Sequence, residues 1–324
     1  MMMSLRHIIG KRYNAFNWLS SEFRFLVKHL GSSDKEKTKE KFEASLIIES
    51  HIIEKGLSFR NVKIGFGEIK IITLLDNLLN YYKSYHDKKF VIYILSPIKE
   101  YIDFQKGKGH ENADIIKKYE LMHSLIQPTE FKINGGGAFN TSRAEIHRNA
   151  LIDFESFVNN RFSIRDFSDK PVDIELVKKA IKIATRTPSA CNRQPWKVHL
   201  FVSKNKIIEI LDYQTGARQF KDQIGCAILV TSSYNYFFGG EFHQPYVNGS
   251  LYAMTLIYAL HSLGLGTIPL NMGFTYKKLK KLKEIIDIED NEVPVLLIGI
   301  GNIPDQLNVA YSQRFDYKNI IREY

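Results

Sequence analysis

Arg161-Phe162-Ser163-Ile164-Arg165-Asp166-Phe167 and Pro188-Ser189-Ala190-Cys191-Asn192-Arg193-Gln194-Pro195-Trp196 frame the stretch on which the reading of this chain turns. Between them, Pro171 and Asp173 open an amphipathic run through Ile174, Val177, Ala180, Ile181 and Ala184. Asp173 suits an N-cap, because its carboxylate can accept from the unpaired amides of a first helical turn. In the first motif, Arg161 and Arg165 stand either side of the Ser163 hydroxyl. If that segment is a helical turn, both guanidiniums point the same way and form a cradle for a phosphate. A solvated basic helix end, paired with Asp166 or Asp169, accounts for the same residues. The second motif reads as a loop of small and amide side chains beside an aromatic wall, suited to the carbonyl and ring-nitrogen edges of a planar heterocycle. A plain proline-bounded connection ahead of a strand is its other reading.

Together the two motifs are more specific than either alone. R-x-S-x-R-x-F followed, one helix later, by P-S-x-x-N-x-Q-P-W resembles the opening of the nitroreductase family, whose members are oxidoreductases dependent on flavin mononucleotide (FMN). Two further stretches fit: Asn248-Gly249-Ser250 leading into Gly264-Leu265-Gly266-Thr267-Ile268-Pro269-Leu270, and Leu296–Gly301 followed by Arg314. The likeness covers roughly residues 151–324. It implies an α+β fold, with a nitroreductase-like FMN-binding sheet flanked by helices over residues 141–324 and a mainly helical domain of unassigned role over residues 1–140.

Carried over residue by residue, the resemblance implies that Arg161 and Ser163 hold the flavin phosphate and that Arg165 lies nearer the N1/O2 edge. A cation there would stabilise the negative charge that two-electron reduction leaves on the ring. Ser189, Asn192 and Gln194 would belong to a loop that a second subunit supplies. Pro269 and Leu270 would cover one face of the ring, a backbone amide near Leu270 or Asn271 would donate to N5, and Arg314 would close on the phosphate. Many members carry a further basic residue where this chain has Ser312, and an acidic one where it has Asn271. Arg218 and Lys221 are candidates for the pyrimidine edge. The resemblance further implies a homodimer, NADH or NADPH as hydride donor, and a small planar electron acceptor such as a nitroaromatic or quinone. No side chain is expected to act as catalytic acid or base. Other enzymes of this fold fragment flavin, remove halogens or dehydrogenate rings. A flavin enzyme that does not use nicotinamide is therefore one alternative, and a flavin-containing binding or sensor module using the basic amino-terminal domain is another.

Outward from the motifs, Lys197–Ser203, Gly225–Thr231 and Val293–Gly301 are β-rich runs, with a further short strand expected after Gly264. Helical patterns separate them at 204–212, 247–263 and 276–286. Between Gln244 and Tyr276 there is no charged residue, a length that could span a bilayer. Asn248, His261, Gly264, Gly266 and Pro269 break it into a buried helix and a strand. So long an uncharged helix needs cover on most sides, which a dimer interface would supply. Towards the amino terminus, helical patterns fall at 42–54, 69–82 and 113–125, and the stretch Phe131–Asn140, carrying Gly135-Gly136-Gly137, reads as a linker. Leu5, Ile9, Phe16, Leu19, Phe23 and Leu26 form an apolar stripe among basic residues, expected to pack on its own domain rather than on a membrane.

Composition removes whole classes. The 324 residues are 44% hydrophobic and 25% charged, ordinary globular usage that excludes collagen-like or disordered chains. Cys191 and Cys226 are too few for a disulfide scaffold and suit a reducing compartment, the cytoplasm. The net charge of +10 is concentrated before residue 150, yet it bears on solubility and encounter, and no nucleic-acid partner is expected. Zincin, zinc-ribbon, hydrolase-elbow and P-loop spacings do not occur, no metal site is expected, and His51 with Glu54 reads as an ordinary helix pair.

Overall fold

The computed structural model describes residues 38–58, 62–126, 136–138, 152–273, 276–307, 309 and 316–324, with scattered positions from 16 to 29. Four long helices come first: Lys39–Leu57 (α1), Glu68–Tyr85 (α2), Lys88–Gly107 (α3) and Ala113–Ile126 (α4). Thr38 caps α1 by accepting from Lys41 N, and Asp87 caps α3 by accepting from Phe90 N. Leu46, Leu74, Leu78, Ile94 and Ile98 meet in a core with no solvent exposure. Periodicity locates α1, α2 and α4 but passes over α3. Its run Phe90–Ile98 is apolar without alternation and carries Pro97 inside the helix, where proline removes a backbone donor.

Two expectations for this region are corrected. Gly136 and Gly137 do not form a free linker. A Cβ on Gly136 would stand 2.6 Å from Ser96 Cβ, and one on Gly137 2.7 Å from Glu100 Cβ, so these glycines let the chain lie against α3. Nor are the described members of the apolar stripe packed: Phe16, Leu19 and Phe23 are exposed, while Leu5, Ile9 and Leu26 lie outside the described residues. The packed face is the adjacent one, where Phe25 meets the Tyr234 ring edge-on at 5.2 Å and His29 at 4.7 Å.

Beyond residue 152 come a short helix, Phe154–Asn159 (α5), then Ile174–Ala184 (α6), Trp196–Phe201 (β1), Lys204–Asp212 (α7), Cys226–Ser233 (β2), Gln244–Ser262 (α8), Leu265–Asn271 (β3), Tyr276–Ile285 (α9) and Glu292–Asn302 (β4). The strands form one antiparallel sheet in the order β1-β2-β4-β3. Period-two alternation splits its side chains: Cys226, Ile228 and Val230 face α6 and α8, while Ala227 and Leu229 face α7 and α9. The register slips between Val230 and Thr231, opposite Leu296 and Pro294, so the proline sits at a bulge where its missing N–H costs little. Gly249 lets α8 approach that bulge, since a Cβ there would lie 2.5 Å from Val295 Cγ2. The uncharged stretch 244–276 is thus a packed helix and an edge strand, and no helix among the described residues is long and apolar enough to cross a membrane.

The helical domain docks on one end of this sheet through Glu40. Its Oε2 accepts from Ser233 Oγ (3.3 Å), Asn235 Nδ2 (2.6 Å) and Asn291 Nδ2 (3.0 Å), while Oε1 pairs with Lys197 Nζ at 3.3 Å. Lys197 also reaches Glu289 (2.9 Å) and the buried Glu292 (3.3 Å), which in turn holds His199 Nε2 at 3.0 Å. Burial would raise the Glu292 carboxyl, but hydrogen bonds from His199 and Thr231 and the Lys197 charge hold it below its ordinary range. Replacing Glu40 by Ala leaves three polar donors and a lysine short of their shared acceptor. We expect Glu40→Ala to lower the unfolding free energy by about 2 kcal/mol in urea titrations. A loss under about 0.5 kcal/mol would mean that the domains are held together elsewhere.

Candidate functional site

The motif 161–167 is not a helical turn. It runs outside any helix along the outer edge of β3, where Ser163 bridges Thr267 in parallel and Ile164 N donates to Thr267 O at 2.9 Å. The reason is the free edge itself, whose main-chain groups need partners, together with Ile164 and Phe167, which drop into the core beneath. The expected pairing with Asp166 or Asp169 does not form: neither Arg161 nor Arg165 makes an ion pair among the described residues. Arg165 turns back on the motif, its Nη1 donating to Ser163 O at 3.3 Å.

Beside Arg161 lies a cavity of about 210 Å³, walled by Ile164, Leu265, Gly266 and Thr267 on the β3 side and by Ile303, Leu307 and Val309 after β4. His261 also lines it and donates through Nε2 to Phe157 O at 3.2 Å. Burial, and secondarily the Arg161 charge, lower the His261 pKa, so at neutral pH the imidazole is neutral and Arg161 supplies the positive charge. Further along the same strand, Pro269 is half-buried, Leu270 buried and Asn271 exposed. The strand end is pinned by Gln214 Nε2 donating to Asn271 O (3.0 Å) and by Gly273 N donating to Asn271 Oδ1 (2.6 Å). Arg161, Ser163, Arg165, Pro269, Leu270 and Asn271 therefore belong to one edge of the sheet. Of the pyrimidine-edge candidates, Lys221 is engaged by Asp212 at 2.5 Å and Arg218 is exposed. Arg314 and Ser312 lie outside the described residues.

Ser189, Asn192 and Gln194 sit elsewhere. Their loop leads into β1, the opposite edge of the sheet, three strand spacings or about 14 Å away from β3. Cys191, Asn192 and Gln194 have φ of +50°, +55° and +51°, a left-handed backbone that side chains disfavour. What fixes it is Arg193, which the sequence reading passed over. The Arg193 side chain is 1% exposed and grips Glu241 through Nη1 (2.9 Å) and Nη2 (2.6 Å), with Nε on Ala190 O (2.9 Å) and Nη1 also on Tyr236 O (2.6 Å). Its guanidinium lies 4.7 Å from the centre of the Phe237 ring. Asn248 of α8 accepts from Ala190 N at 2.8 Å, and Ser189 Oγ accepts from Gln194 N at 3.0 Å. A signal was present: Glu241 is the sole acid between Asp222 and Glu284, and such an isolated charge within apolar chain calls for a partner.

Hydrogen bonds from Arg193 hold the Glu241 carboxyl below its ordinary range, against a smaller burial effect. A carboxyl with a depressed folded pKa adds stability above its unfolded value and loses it as pH falls through the folded one. We expect Glu241→Gln to cost about 2 kcal/mol at pH 7, a buried-pair penalty discounted for the partial exposure of Glu241. In urea titrations the gap to the parent should close as the pH falls below the ordinary carboxylate range, where Glu241 itself takes up a proton. A gap independent of pH would show that the pair does not carry this charge interaction.

Residues 158–224 match the model of the nitroreductase family. An Archaeoglobus fulgidus protein, provisionally named an NADH dehydrogenase/NAD(P)H nitroreductase, is 27% identical over 51% of this chain and 95% of its own length. An iodotyrosine deiodinase of Haliscomenobacter hydrossis is 20% identical over 53% of this chain and 89% of its own. Among solved structures, a Clostridium difficile protein described as an FMN-dependent nitroreductase is 21% identical, with a TM-score of 0.45 over 52% of this chain and 98% of that one. The family match spans the first motif, the α6 helix and the second motif, which the fold sets at the two edges of one antiparallel sheet. The chain thus matches the nitroreductase family over residues 158–224 and carries a helical region ahead of that match.

Proposed function

We propose that this protein is an FMN-dependent oxidoreductase that takes hydride from NADH or NADPH and passes it to a planar electrophile such as a nitroaromatic or a quinone. The observation that carries this reading is the edge of β3, where Arg161, without an acidic partner among the described residues, stands at a cavity of about 210 Å³ with Ser163 next to it. That pairing of a free guanidinium with a hydroxyl suits a phosphate, which both can hold by charge-assisted hydrogen bonds. The half-buried Pro269 offers an apolar surface on the same edge, suited to the face of a flat ring, while Leu270 packs into the core beside it. FMN supplies hydride acceptance and release at N5, chemistry that no side chain here can perform. In this reading the chain's own residues bind and tune: Arg161 and Ser163 hold the phosphate, Arg165 places positive charge near the N1/O2 edge, and Arg314 joins the phosphate from the carboxy-terminal segment.

The opposite-edge loop bears on assembly. Ser189, Asn192 and Gln194 cannot complete the site of their own chain from about 14 Å away, so in this reading they serve a second copy. Support comes from α8, whose exposed Val247, Leu251 and Met254 recur at helical spacing and leave an uncharged face without a partner among the described residues. Sedimentation should therefore report about 75 kDa, twice the 37.5 kDa of the chain. A monomer that still retained flavin one to one would overturn the shared site. For the cradle, Arg161→Ala should raise the FMN dissociation constant about ten- to a hundredfold in fluorescence titration, the worth of a charge-assisted contact. An unchanged constant would move the phosphate elsewhere.

A further inference from the structure

We propose that the helical domain is a clamp on the loop 188–195, and that the Tyr93 hydroxyl is the contact through which it sets the side chain of Asn192. The inference rests on the flavin reading above for what that side chain serves, and on geometry for the clamp. Three left-handed residues in four cost of the order of 1 kcal/mol each, so the loop holds this shape only because its surroundings over-determine it. The carboxy-terminal domain secures its main chain, through Arg193 and Glu241, Asn248 and Ser189. The Asn192 side chain is secured from the other domain. Asn192 Nδ2 donates to Tyr93 Oη at 3.2 Å across nearly a hundred residues of sequence, while Gln194 Nε2 donates to Asn192 O at 3.2 Å within the loop.

Tyr93 belongs to α3, and α1 packs against the turn Ala190–Asn192 itself. The domain bearing these contacts is not loosely tethered, because Glu40 fixes it to Lys197, Ser233 and Asn291 at the sheet end from which the loop departs. Its core also takes in the ring of Tyr236, whose carbonyl is one of the acceptors gripping Arg193. The chemical consequence is directional. With the Asn192 nitrogen turned to Tyr93, its oxygen is turned away and is the group left to accept from a ligand donor. A role thus follows for the helical region: it decides how the loop presents its acceptors.

The test uses the full-length protein and three variants, Tyr93→Phe, Asn192→Ala and the double substitution. Hydrogen exchange reads the clamp without any flavin, since the amides of Ala190, Asn192, Arg193 and Gln194 are all hydrogen-bonded in the loop. Tyr93→Phe should speed exchange at these four amides about three- to tenfold, the range of one neutral hydrogen bond, with the melting temperature and exchange elsewhere unchanged. It should raise the FMN dissociation constant by a similar factor, and should raise it no further in the Asn192→Ala background. Unchanged loop exchange in Tyr93→Phe overturns the clamp. An equal rise in the dissociation constant in both backgrounds overturns the route through Asn192. Loosened exchange in a protein whose parent takes up no FMN upholds the clamp and overturns the flavin reading instead.

Discussion

One main-chain hydrogen bond, from Ile164 N to Thr267 O, decides where the chemistry of this protein can be. It anchors Arg161, Ser163 and Arg165 on the outer edge of β3, so that the cations share an edge with Pro269 and Leu270. The buried Ile164 and Phe167 make the attachment more than a single bond, since lifting the motif would expose both side chains to water. An unsatisfied strand edge is ordinarily a liability. Here it is covered by the segment that brings charge to the site.

The same sheet sets the two motifs apart. With the order β1-β2-β4-β3, the loop before β1 and the motif beside β3 lie at opposite edges of one chain. The loop is nonetheless built to a fixed shape, which takes a buried guanidinium, a lone acid in an apolar stretch, and a contact from the helical domain. In the proposed reading that turn serves a second copy, and its fixed, strained shape is the physical reason for proposing a symmetric pair.

How much of this was legible in the residues varies with the interaction involved. Strands β1, β2 and β4 and most helices follow from apolar periodicity, because burial of one face is a local signal. The two motifs were legible as words, but the first was given the wrong backbone: arginines four apart suggest a helical face, and only the open β3 edge, a property of the assembled sheet, makes the segment run beside a strand. Helix α3 escaped notice because Pro97 inside an apolar run argues locally against a helix, whereas the surrounding core overrides it. The stripe at Phe16, Leu19 and Phe23 was read correctly as apolar and wrongly as packed, since periodicity tells which face is apolar and not what lies against it. Arg193, Glu241, Glu40 and Tyr93 act across 48 or more residues of sequence, and pairings of that kind emerge only with the fold.

The central claim is that this protein accepts hydride through a bound flavin and hands it on. Stopped-flow mixing of the anaerobic, flavin-loaded protein with NADH or NADPH tests it most directly. The account predicts rapid loss of the oxidised flavin absorbance with at least one of the two, and its return when a quinone or nitroaromatic is added. Flavin that stays bound and oxidised through both additions would contradict it.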